Sequence, residues 1–201
     1  MVATEVAIVA SGGANISSLR FALGRLGVNS VLTADPDVIR NASHVILPGV
    51  GAAADAMQSL KKQQLQSFIA ELTQPVLGIC LGMQLLAEHS EEHRTSCLGI
   101  VPAIARKLHG STRRPVPNTG WCPIQVTRDH PLLHEIKNGS YFYFLHSYAL
   151  PVCRFTLATA AHEKRFSAVL AYRNFVATQF HPERSSLAGA RLLSNFLQLR
   201  R

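Results

Sequence analysis

Apolar and polar residues alternate with two different periods along the first half of the chain. Short apolar runs rich in β-branched residues predict buried strands, and apolar residues recurring every three or four positions predict amphipathic helices. The predicted strands cover residues 6–10, 28–33, 44–47 and 75–79, and the predicted helices cover residues 17–26, 54–72 and 81–88, with a brief helical turn at 35–36. Because strand and helix take turns, this order predicts a parallel sheet with helices on both faces.

The second half of the chain is richer in strand patterns. Strands are predicted at residues 98–108, 122–128, 141–150, 155–160, 166–172 and 175–180, an exposed loop at 113–120 and a closing helix at 185–199. No linker or repeat divides the chain. We therefore expect one α/β domain over residues 1–201, in which a mostly parallel central sheet is extended by antiparallel strands.

The composition excludes several classes of protein. The 201 residues are 47% hydrophobic and 16% charged, which is typical of a folded globular chain and not of a disordered one. No run approaches the ~18 apolar residues of a membrane span, and the first residues lack the basic segment of a signal peptide. The four cysteines are too scattered for a disulfide scaffold, so we expect a reducing, cytoplasmic setting.

The charge balance indicates a kind of partner. The net charge is +8, with 20 Lys and Arg against 12 Asp and Glu. The basic residues are spread in separate pairs without interleaved aromatic residues, which is not the pattern of a nucleic-acid surface. The charge therefore favours an acidic partner surface or an anionic substrate over nucleic acid.

The segment from Pro75 to Gln84 carries the strongest chemical signal. It reads as a buried strand, then Gly78-x-Cys80-x-Gly82, then a helix, which is the nucleophile elbow with sulfur in place of oxygen. Glycines at the flanking positions remove Cβ atoms that would collide with the backbone of so tight a turn. The helix start favours a thiolate, and the N–H of Leu81 can face an oxyanion. A buried, inert cysteine between two packing glycines is the alternative.

A base for this cysteine is predicted near the end of the chain. His181 ends the last predicted strand, and Pro182 restricts it to an extended conformation. Glu183 can turn back to the imidazole and fix its tautomer. The carboxyl ends of neighbouring parallel strands meet at one edge of a sheet, so His181 and Cys80 can meet despite their distance in sequence. A surface His-Pro turn is the alternative.

The loop Pro48-Gly-Val-Gly51 follows the predicted strand 44–47 and allows two interpretations. Gly49-x-Gly51-x-x-Ala54 satisfies the dinucleotide-binding pattern, but that pattern also requires an acidic residue at the end of the next strand, where Cys80 stands. The second interpretation is that N–H groups in this glycine-bearing loop supply an oxyanion donor.

Two histidine pairs resemble metal motifs. His89 and His93 match H-x-x-E-H, but the segment is polar throughout and is typical of a solvated, frayed helix end. His130 and His134 flank a proline and two leucines, which is typical of packing at a helix start. We therefore expect neither a metal nor another cofactor.

Three segments together resemble the class I (triad) glutamine amidotransferase family. They are Pro48-Gly-Val-Gly51, Gly78-Ile-Cys-Leu-Gly-Met-Gln84 and Gln179-Phe-His-Pro-Glu183. Within that family, the chain resembles the glutaminase subunits of imidazole glycerol phosphate synthases. Three segments carry this closer resemblance: Gly120-Trp121, the aromatic strand 141–148 and His181-Pro-Glu-Arg-Ser185. The likeness runs in order from the loop 12–15 to the helix 192–197.

The resemblance implies an activity and a partner. It implies a glutaminase that hydrolyses glutamine through a cysteine thioester and passes ammonia to a (β/α)₈-barrel cyclase in histidine biosynthesis, as a heterodimer. Cys80 would be the nucleophile, His181 the general acid and base, and Glu183 its orienter.

The resemblance implies further site residues. Glutamine would be bound by Gly51, Gln84, Glu92, Ser147 and Tyr148. The oxyanion hole would be formed by Val50, Gly51 and Leu81. The cyclase would face Trp121, Tyr143 and Arg184.

The chain departs from the subfamily at two positions. Cys122 stands where asparagine usually follows Gly-Trp, and Ala10 stands where an acidic residue often ends the first strand. Two other functions stay open: an amidotransferase of the same class that feeds a different synthase, and a regulatory subunit that keeps the fold without the chemistry.

Overall fold

The structure of the protein is a computed structural model that describes residues 6–12 and 16–200. Residues 1–5, and most of the loop 12–15 at which the family resemblance begins, lie outside the described residues. The strands are β1 Val6–Val9, β2 Ser30–Thr33, β3 His44–Leu47, β4 Val76–Ile79, β5 Ala87–Ser90, β6 Thr95–Ser96, β7 Val101–Lys107, β8 Asn118–Pro123, β9 Gln125–Val126, β10 Tyr141–His146, β11 Tyr148–Ala149, β12 Thr156–His162, β13 Lys164–Tyr172 and β14 Phe175–Thr178.

The helices lie mainly in the first half of the chain. They are α1 Ile16–Arg25, α2 Pro36–Asn41, α3 Ala53–Lys62, α4 Leu65–Ala70, α5 Leu81–Leu85 and α6 Ser186–Gln198, with single 3₁₀ turns at Glu92–Arg94, Pro131–Leu133 and Pro182–Arg184. Among the described residues, no helix combines the length and apolar character that crossing a membrane requires.

The central sheet is mostly parallel, as expected. Its strand order over the described residues is β2-β1-β3-β4-β14-β13-β12-β9. The first five strands pair in parallel, and β13, β12 and β9 extend the sheet by antiparallel pairing. Two smaller sheets lie beside it, β8 with β10 and β11-β7-β5-β6.

Side chains of the central strands alternate between two apolar layers. In β1, Val6 and Ile8 belong to the layer that contains α1 and α6, whereas Ala7 and Val9 belong to the layer that contains α3 and α4. All four are fully buried. Burial of a valine or isoleucine side chain contributes on the order of 1.5–3 kcal/mol, so both faces of the sheet need helices. The expectation of helices on both faces is confirmed.

Two predicted helices differ in the structure. The helix predicted at 54–72 is interrupted, because Gln64 adopts a left-handed conformation with φ of 58° between α3 and α4. The side chain of the neighbouring Gln63 donates a hydrogen bond to the carbonyl of Ala10, just after β1. The helix predicted at 81–88 ends at Leu85, since the chain continues as β5 beside β7. The segment 89–93 is therefore a strand end and a 3₁₀ turn, not a frayed helix end.

Two of the strands predicted in the second half are divided in the structure. The predicted strand 122–128 is divided at Ile124, which is fully buried, and β8 begins at Asn118 inside the segment expected to be a loop. The predicted strand 141–150 is divided at Ser147, where the chain leaves β8 and joins β7.

Pairing of β4 with β14 places the ends of two sequence motifs side by side. Ile79 is level with Thr178 in the parallel register, and the N–H of Cys80 donates to the carbonyl of Thr178 at 2.8 Å. Cys80 and His181 therefore leave the sheet at the same edge, in agreement with the rule for the carboxyl ends of parallel strands.

Close backbone approach explains the glycines around Cys80. A Cβ on Gly82 would overlap the carbonyl oxygen of Leu47 in β3, and a Cβ on Gly78 would lie 3.0 Å from the Gly82 backbone. The space at Gly49 is about as narrow as at Gly78, because a Cβ on Gly49 would lie 2.9 Å from the Cβ of Leu81. These glycines let α5 pack directly on the end of β3.

The overlap at Gly82 leads to a stability prediction. Gly82→Ala should lower the free energy of unfolding by about 3 kcal/mol or more, because backbone atoms must move. Gly24→Ala is the matched control, since Gly24 is exposed in α1 with no atom near its Cβ position, and it should stabilise by about 0.5–1 kcal/mol. Urea unfolding measures both, and equal stability of the two variants would contradict the close approach.

Candidate active site

Cys80 occupies a strained turn between β4 and α5. Its φ of 53° and ψ of −106° are rare for a residue with a side chain, and such backbone costs roughly 1–3 kcal/mol and occurs mainly at functional sites. The residue is 5% exposed. The predicted nucleophile elbow is therefore present in the backbone itself.

His181 lies where β14 passes into the 3₁₀ turn Pro182–Arg184. Its Nδ1 is 2.8 Å from Oε1 of Glu183, and the two side chains are 7% and 6% exposed. His181 and Cys80 line the same cavity, and their side chains are close enough for Cys80 to raise the pKa of the imidazole. The structure thus brings Cys80, His181 and Glu183 together in the order that nucleophile, base and orienter require.

Hydrogen bonds to the backbone fix His181 in place. Its N–H donates to the carbonyl of Tyr143 at 2.9 Å. The hydroxyl of Ser185 donates to the carbonyl of His181 at 2.6 Å and accepts from the N–H of Tyr143 at 3.0 Å. Strand β10 therefore holds the backbone of the candidate base.

A cavity of about 280 Å³ opens on Cys80 and His181. Its remaining lining residues are Val50, Gly51, Leu81, Gln84, Glu92, Pro117, Leu145, His146, Ser147 and Tyr148. Every residue that the family resemblance assigned to glutamine or to the oxyanion hole is among them. Pro117, Leu145 and His146 were not assigned to the site, although His146 stands in the aromatic strand next to Ser147.

Two glutamine side chains connect the cavity wall to Cys80. Nε2 of Gln84 donates to the carbonyl of Tyr148 at 2.8 Å and to Oε1 of Gln179 at 3.3 Å. Nε2 of Gln179 faces Sγ of Cys80 at 3.8 Å. Gln179 is fully buried, and sequence reasoning gave it no role. A glutamine just after an otherwise mostly apolar strand was the available signal.

Glu92 approaches the cavity from a different part of the chain. Its Oε2 accepts from the N–H of Ala53 at 2.7 Å, and so satisfies one of the free donors at the start of α3, which has no side-chain cap of its own. The sequence did not predict this contact, because the two residues lie on separate elements.

The loop after β3 lines the cavity at Cys80 through Val50 and Gly51, where the predicted oxyanion donor would have to lie. The absence of a side chain on Gly49 lets Leu81 pack against this loop. The hydroxyl of Ser11 donates a hydrogen bond to the carbonyl of Pro48 at 2.7 Å. Gly51 has a φ of 92°, which favours glycine. The N–H of Leu81 is the first of α5 and has no acceptor within the helix.

The three residues expected to face a partner form one surface cluster. The guanidinium of Arg184 lies 4.3 Å over the ring of Tyr143, and Trp121 meets that ring edge-on at 6.2 Å. Trp121 is 51% exposed. The cluster is next to the base, because Tyr143 also holds the His181 backbone.

The histidine pairs set aside as metal motifs lie outside this cavity. Within residues 6–12 and 16–200, no group of three or more histidine, cysteine or acidic residues could hold a metal ion. The side chain of His130 accepts from the N–H of Leu132 at the start of a 3₁₀ turn, as packing at a helix start predicts.

Comparison with known proteins decides the family. The sequence profile of the family described as glutamine amidotransferase class-I matches residues 8–199. The chain belongs to the class-I glutamine amidotransferase family. It is therefore a glutamine amidotransferase enzyme, and the resemblance seen in the motifs is confirmed.

Curated relatives of this amidotransferase cover its whole length. The chain is 47% identical to the imidazole glycerol phosphate synthase subunit HisH of Idiomarina loihiensis, over 97% of this chain and 98% of that protein. It is 44% identical to the protein of the same name from Vibrio cholerae, with the same coverage of both chains.

Solved structures share the fold at lower identity. A glutamine amidotransferase matches with a TM-score of 0.75 at 18% identity, covering 96% of this chain and 97% of that chain. A glutamine amidotransferase from Thermotoga maritima matches with a TM-score of 0.63 at 19% identity, covering 98% and 83%. Both likenesses concern the fold alone.

The electrostatics of this amidotransferase site favour a charged imidazole. Burial lowers the pKa of His181, but hydrogen bonds with Cys80 and Glu183, together with the negative charges of both, raise it to about 10 from 6.5. His181 is therefore an imidazolium at neutral pH, next to the sulfur of Cys80. Cys97, by contrast, is buried away from this site, and burial raises the pKa of its thiol to about 11.

The raised pKa of His181 predicts a pH dependence. Because the folded pKa lies above the unfolded one, the contribution of His181 to stability is full below about pH 6.5 and is lost as the pH rises toward about 10. Cys80→Ala removes one hydrogen bond and one charge, so the pKa of His181 should fall. NMR titration of the imidazole measures it, with Cys153→Ala as the control. An unchanged pKa in Cys80→Ala would show that the two side chains do not interact.

Proposed function

We propose that this protein is the glutaminase subunit of an imidazole glycerol phosphate synthase. It hydrolyses glutamine with Cys80, His181 and Glu183 and passes the ammonia to a (β/α)₈-barrel cyclase subunit, with residues 1–201 acting as one glutaminase domain. The observation that carries the proposal is the cavity that opens on Cys80 and His181 and is lined by the expected glutamine-binding residues. The full-length similarity to HisH proteins supports the choice of synthase.

The first half of the reaction is acyl transfer to sulfur. The Cys80 thiolate attacks the carboxamide carbon of glutamine, and the oxyanion is held by the N–H of Leu81 and the loop at Val50 and Gly51. The His181 imidazolium then protonates the departing nitrogen. The C–N bond breaks, and ammonia and a γ-glutamyl thioester result.

The second half of the reaction returns the enzyme to its starting state. Neutral His181 takes a proton from water, which attacks the thioester carbon. The C–S bond breaks, glutamate leaves, and the imidazolium is restored beside the thiolate. The carboxylate of Glu183, 2.8 Å from Nδ1, orients the ring and stabilises its positive charge in both halves.

The lining of the cavity suits free glutamine. Glu92 supplies a carboxylate for the α-ammonium group, and its contact with Ala53 holds the side chain in one orientation. Gln84, Ser147 and Tyr148 supply polar groups along the wall. Gly51 leaves the backbone open to the reacting carboxamide.

The fate of the ammonia requires a second subunit. Ammonia released into neutral water is mostly protonated and is then no nucleophile, so it must reach its acceptor through a sheltered route. The cluster of Trp121, Tyr143 and Arg184 is the proposed docking face, because it is exposed and Tyr143 touches the His181 backbone. The reaction and the four free thiols fit a cytoplasmic protein without a bound cofactor.

Removal of the nucleophile should separate the two activities. In Cys80→Ala, glutamine hydrolysis should fall to background, while the complex with the cyclase still forms product from added ammonium. Cys97→Ala is the matched control, since Cys97 is a second buried thiol away from the cavity, and it should keep glutaminase activity. Coupled glutamate assays measure both, and retained hydrolysis in Cys80→Ala would remove Cys80 from its role.

The cyclase should stimulate hydrolysis. We expect weak glutaminase activity for this protein on its own and an increase on the order of 10²–10³ with the barrel subunit, which is the usual effect of one oxyanion donor. Arg184→Ala should reduce the stimulation, and Arg191→Ala, whose side chain pairs with Glu135 instead, should not. Steady-state glutamate production measures this, and equal rates with and without the cyclase would contradict gating by the partner.

A further inference from the structure

Asn118 and His146 form a buried pair of polar side chains, of which His146 lines the glutamine cavity. Asn118 in β8 and His146 in β10 are directly opposed in the antiparallel register. They are 4% and 6% exposed, and Nδ2 of Asn118 lies 3.0 Å from Nε2 of His146. None of the roles given to the triad, the oxyanion hole or the glutamine-binding residues uses this pair.

The hydrogen bonds around His146 determine its tautomer. Nδ1 lies 2.9 Å from the carbonyl of Tyr148, and a carbonyl oxygen only accepts, so Nδ1 carries the proton. Nε2 is then the acceptor for the amide of Asn118. The thiol of Cys122 donates to Oδ1 of Asn118 at 3.6 Å. With Oδ1 on the side of Cys122, the Nδ2 group of Asn118 faces the imidazole.

His146 stays uncharged in this environment. Burial, together with the charges of His162 and His181, lowers its pKa to about 4 from 6.5, against a hydrogen bond to the Tyr148 carbonyl that raises it. The rings of Phe144 and Phe166 pack against the imidazole. A neutral imidazole has two tautomers, and the contacts with Tyr148 and Asn118 both favour the one with the proton on Nδ1.

The Nδ1–H tautomer of His146 stabilises the cavity wall at Tyr148 through a hydrogen bond to its carbonyl. The chain leaves β8 after His146 and joins β7 at Tyr148, and the Nδ1–H of His146 spans this break. The same Tyr148 carbonyl accepts from Gln84, which also contacts Gln179 next to the Cys80 sulfur. A continuous set of hydrogen bonds therefore runs from Cys122 in the partner-facing strand to Cys80.

We propose that Asn118 and His146 are positioning residues for glutamine hydrolysis. By donating to Nε2 of His146, Asn118 selects the tautomer whose Nδ1–H holds the Tyr148 carbonyl, and so sets Ser147, Tyr148 and Gln84 for the substrate. The proposal rests on the proposed function, because it takes glutamine as the occupant of the cavity. It also gives Cys122, one of the two departures from the subfamily, a role as the thiol that orients Asn118.

Two isosteric substitutions of His146 separate its two nitrogens. In His146→Asn the amide nitrogen takes the place of Nδ1 and keeps the bond to Tyr148. In His146→Gln it takes the place of Nε2 and loses that bond. We expect KM for glutamine to rise roughly three- to tenfold in His146→Gln with little change in kcat, and to stay within about twofold of wild type in His146→Asn. Both are assayed in the complex with the cyclase.

A substitution of Asn118 completes the test. Asn118→Ala should raise KM as His146→Gln does, but should have no further effect in the His146→Asn background, where no tautomer remains to be selected. Equal KM values for His146→Gln and His146→Asn, or additive effects of Asn118→Ala and His146→Asn, would overturn the proposal. Failure of the proposed function is recognised separately, because the wild-type complex would then not hydrolyse glutamine.

A spectroscopic readout does not depend on turnover. Long-range ¹H–¹⁵N spectra of the histidine-labelled protein report which ring nitrogen carries the proton, and the His146 signals are those missing in His146→Asn. We expect the Nδ1–H tautomer in wild type and an increased share of the Nε2–H tautomer in Asn118→Ala, because one of the two contacts that favour Nδ1–H is then absent. A proton on Nε2 in wild type, or an unchanged Nδ1–H tautomer in Asn118→Ala, would overturn the role of Asn118.

Discussion

The parallel pairing of β4 with β14 is the interaction on which the rest of the site depends. It joins segments from the middle and the end of the chain, and its register places Ile79 level with Thr178. The hydrogen bond from the Cys80 N–H to the Thr178 carbonyl continues the ladder up to the proposed nucleophile. Since both segments bend away from the sheet at this level, sulfur and imidazole leave it together, and the chemistry is a consequence of the topology.

The elbow shows how the surrounding packing maintains a strained residue. The positive φ of Cys80 costs free energy, but α5 is packed onto the end of β3 through Gly49 and Gly82. Any relaxation of the turn would separate these backbones. The same close packing leaves the Leu81 N–H at the start of the helix, beside the nucleophile, where an oxyanion donor is needed.

Much of the site could be predicted from the sequence, because its parts are local motifs. Local sequence constrains the backbone at both motifs, through the glycines around Cys80 and through Pro182 and Glu183 after His181. The alternation of strand and helix predicted the parallel sheet that joins the two motifs. Gln179, Asn118 and His146 could not be given roles in this way. Their hydrogen bonds cross between strands, and a period-two pattern does not determine which residues of two strands stand opposite each other.

The errors in the predicted elements have related causes. Residues 86–88 continue a helical pattern, but the chain gains more by pairing Ala87 with Val101 in a second sheet. Asn118 stands next to proline in a segment that resembles a loop, yet it is opposed to His146 in a strand pair. In both places tertiary pairing overrides the local preference. In the second it creates the buried contact between Asn118 and His146 at the cavity wall.

The central claim is that Cys80 forms a covalent intermediate with glutamine, and peptide mass spectrometry of the acid-quenched complex tests it most directly. During turnover with the cyclase present, a γ-glutamyl thioester should be found on the peptide that contains Cys80, and it should disappear when glutamine is exhausted. Absence of the adduct under turnover, or its presence on Cys97, Cys122 or Cys153 instead, would contradict the account.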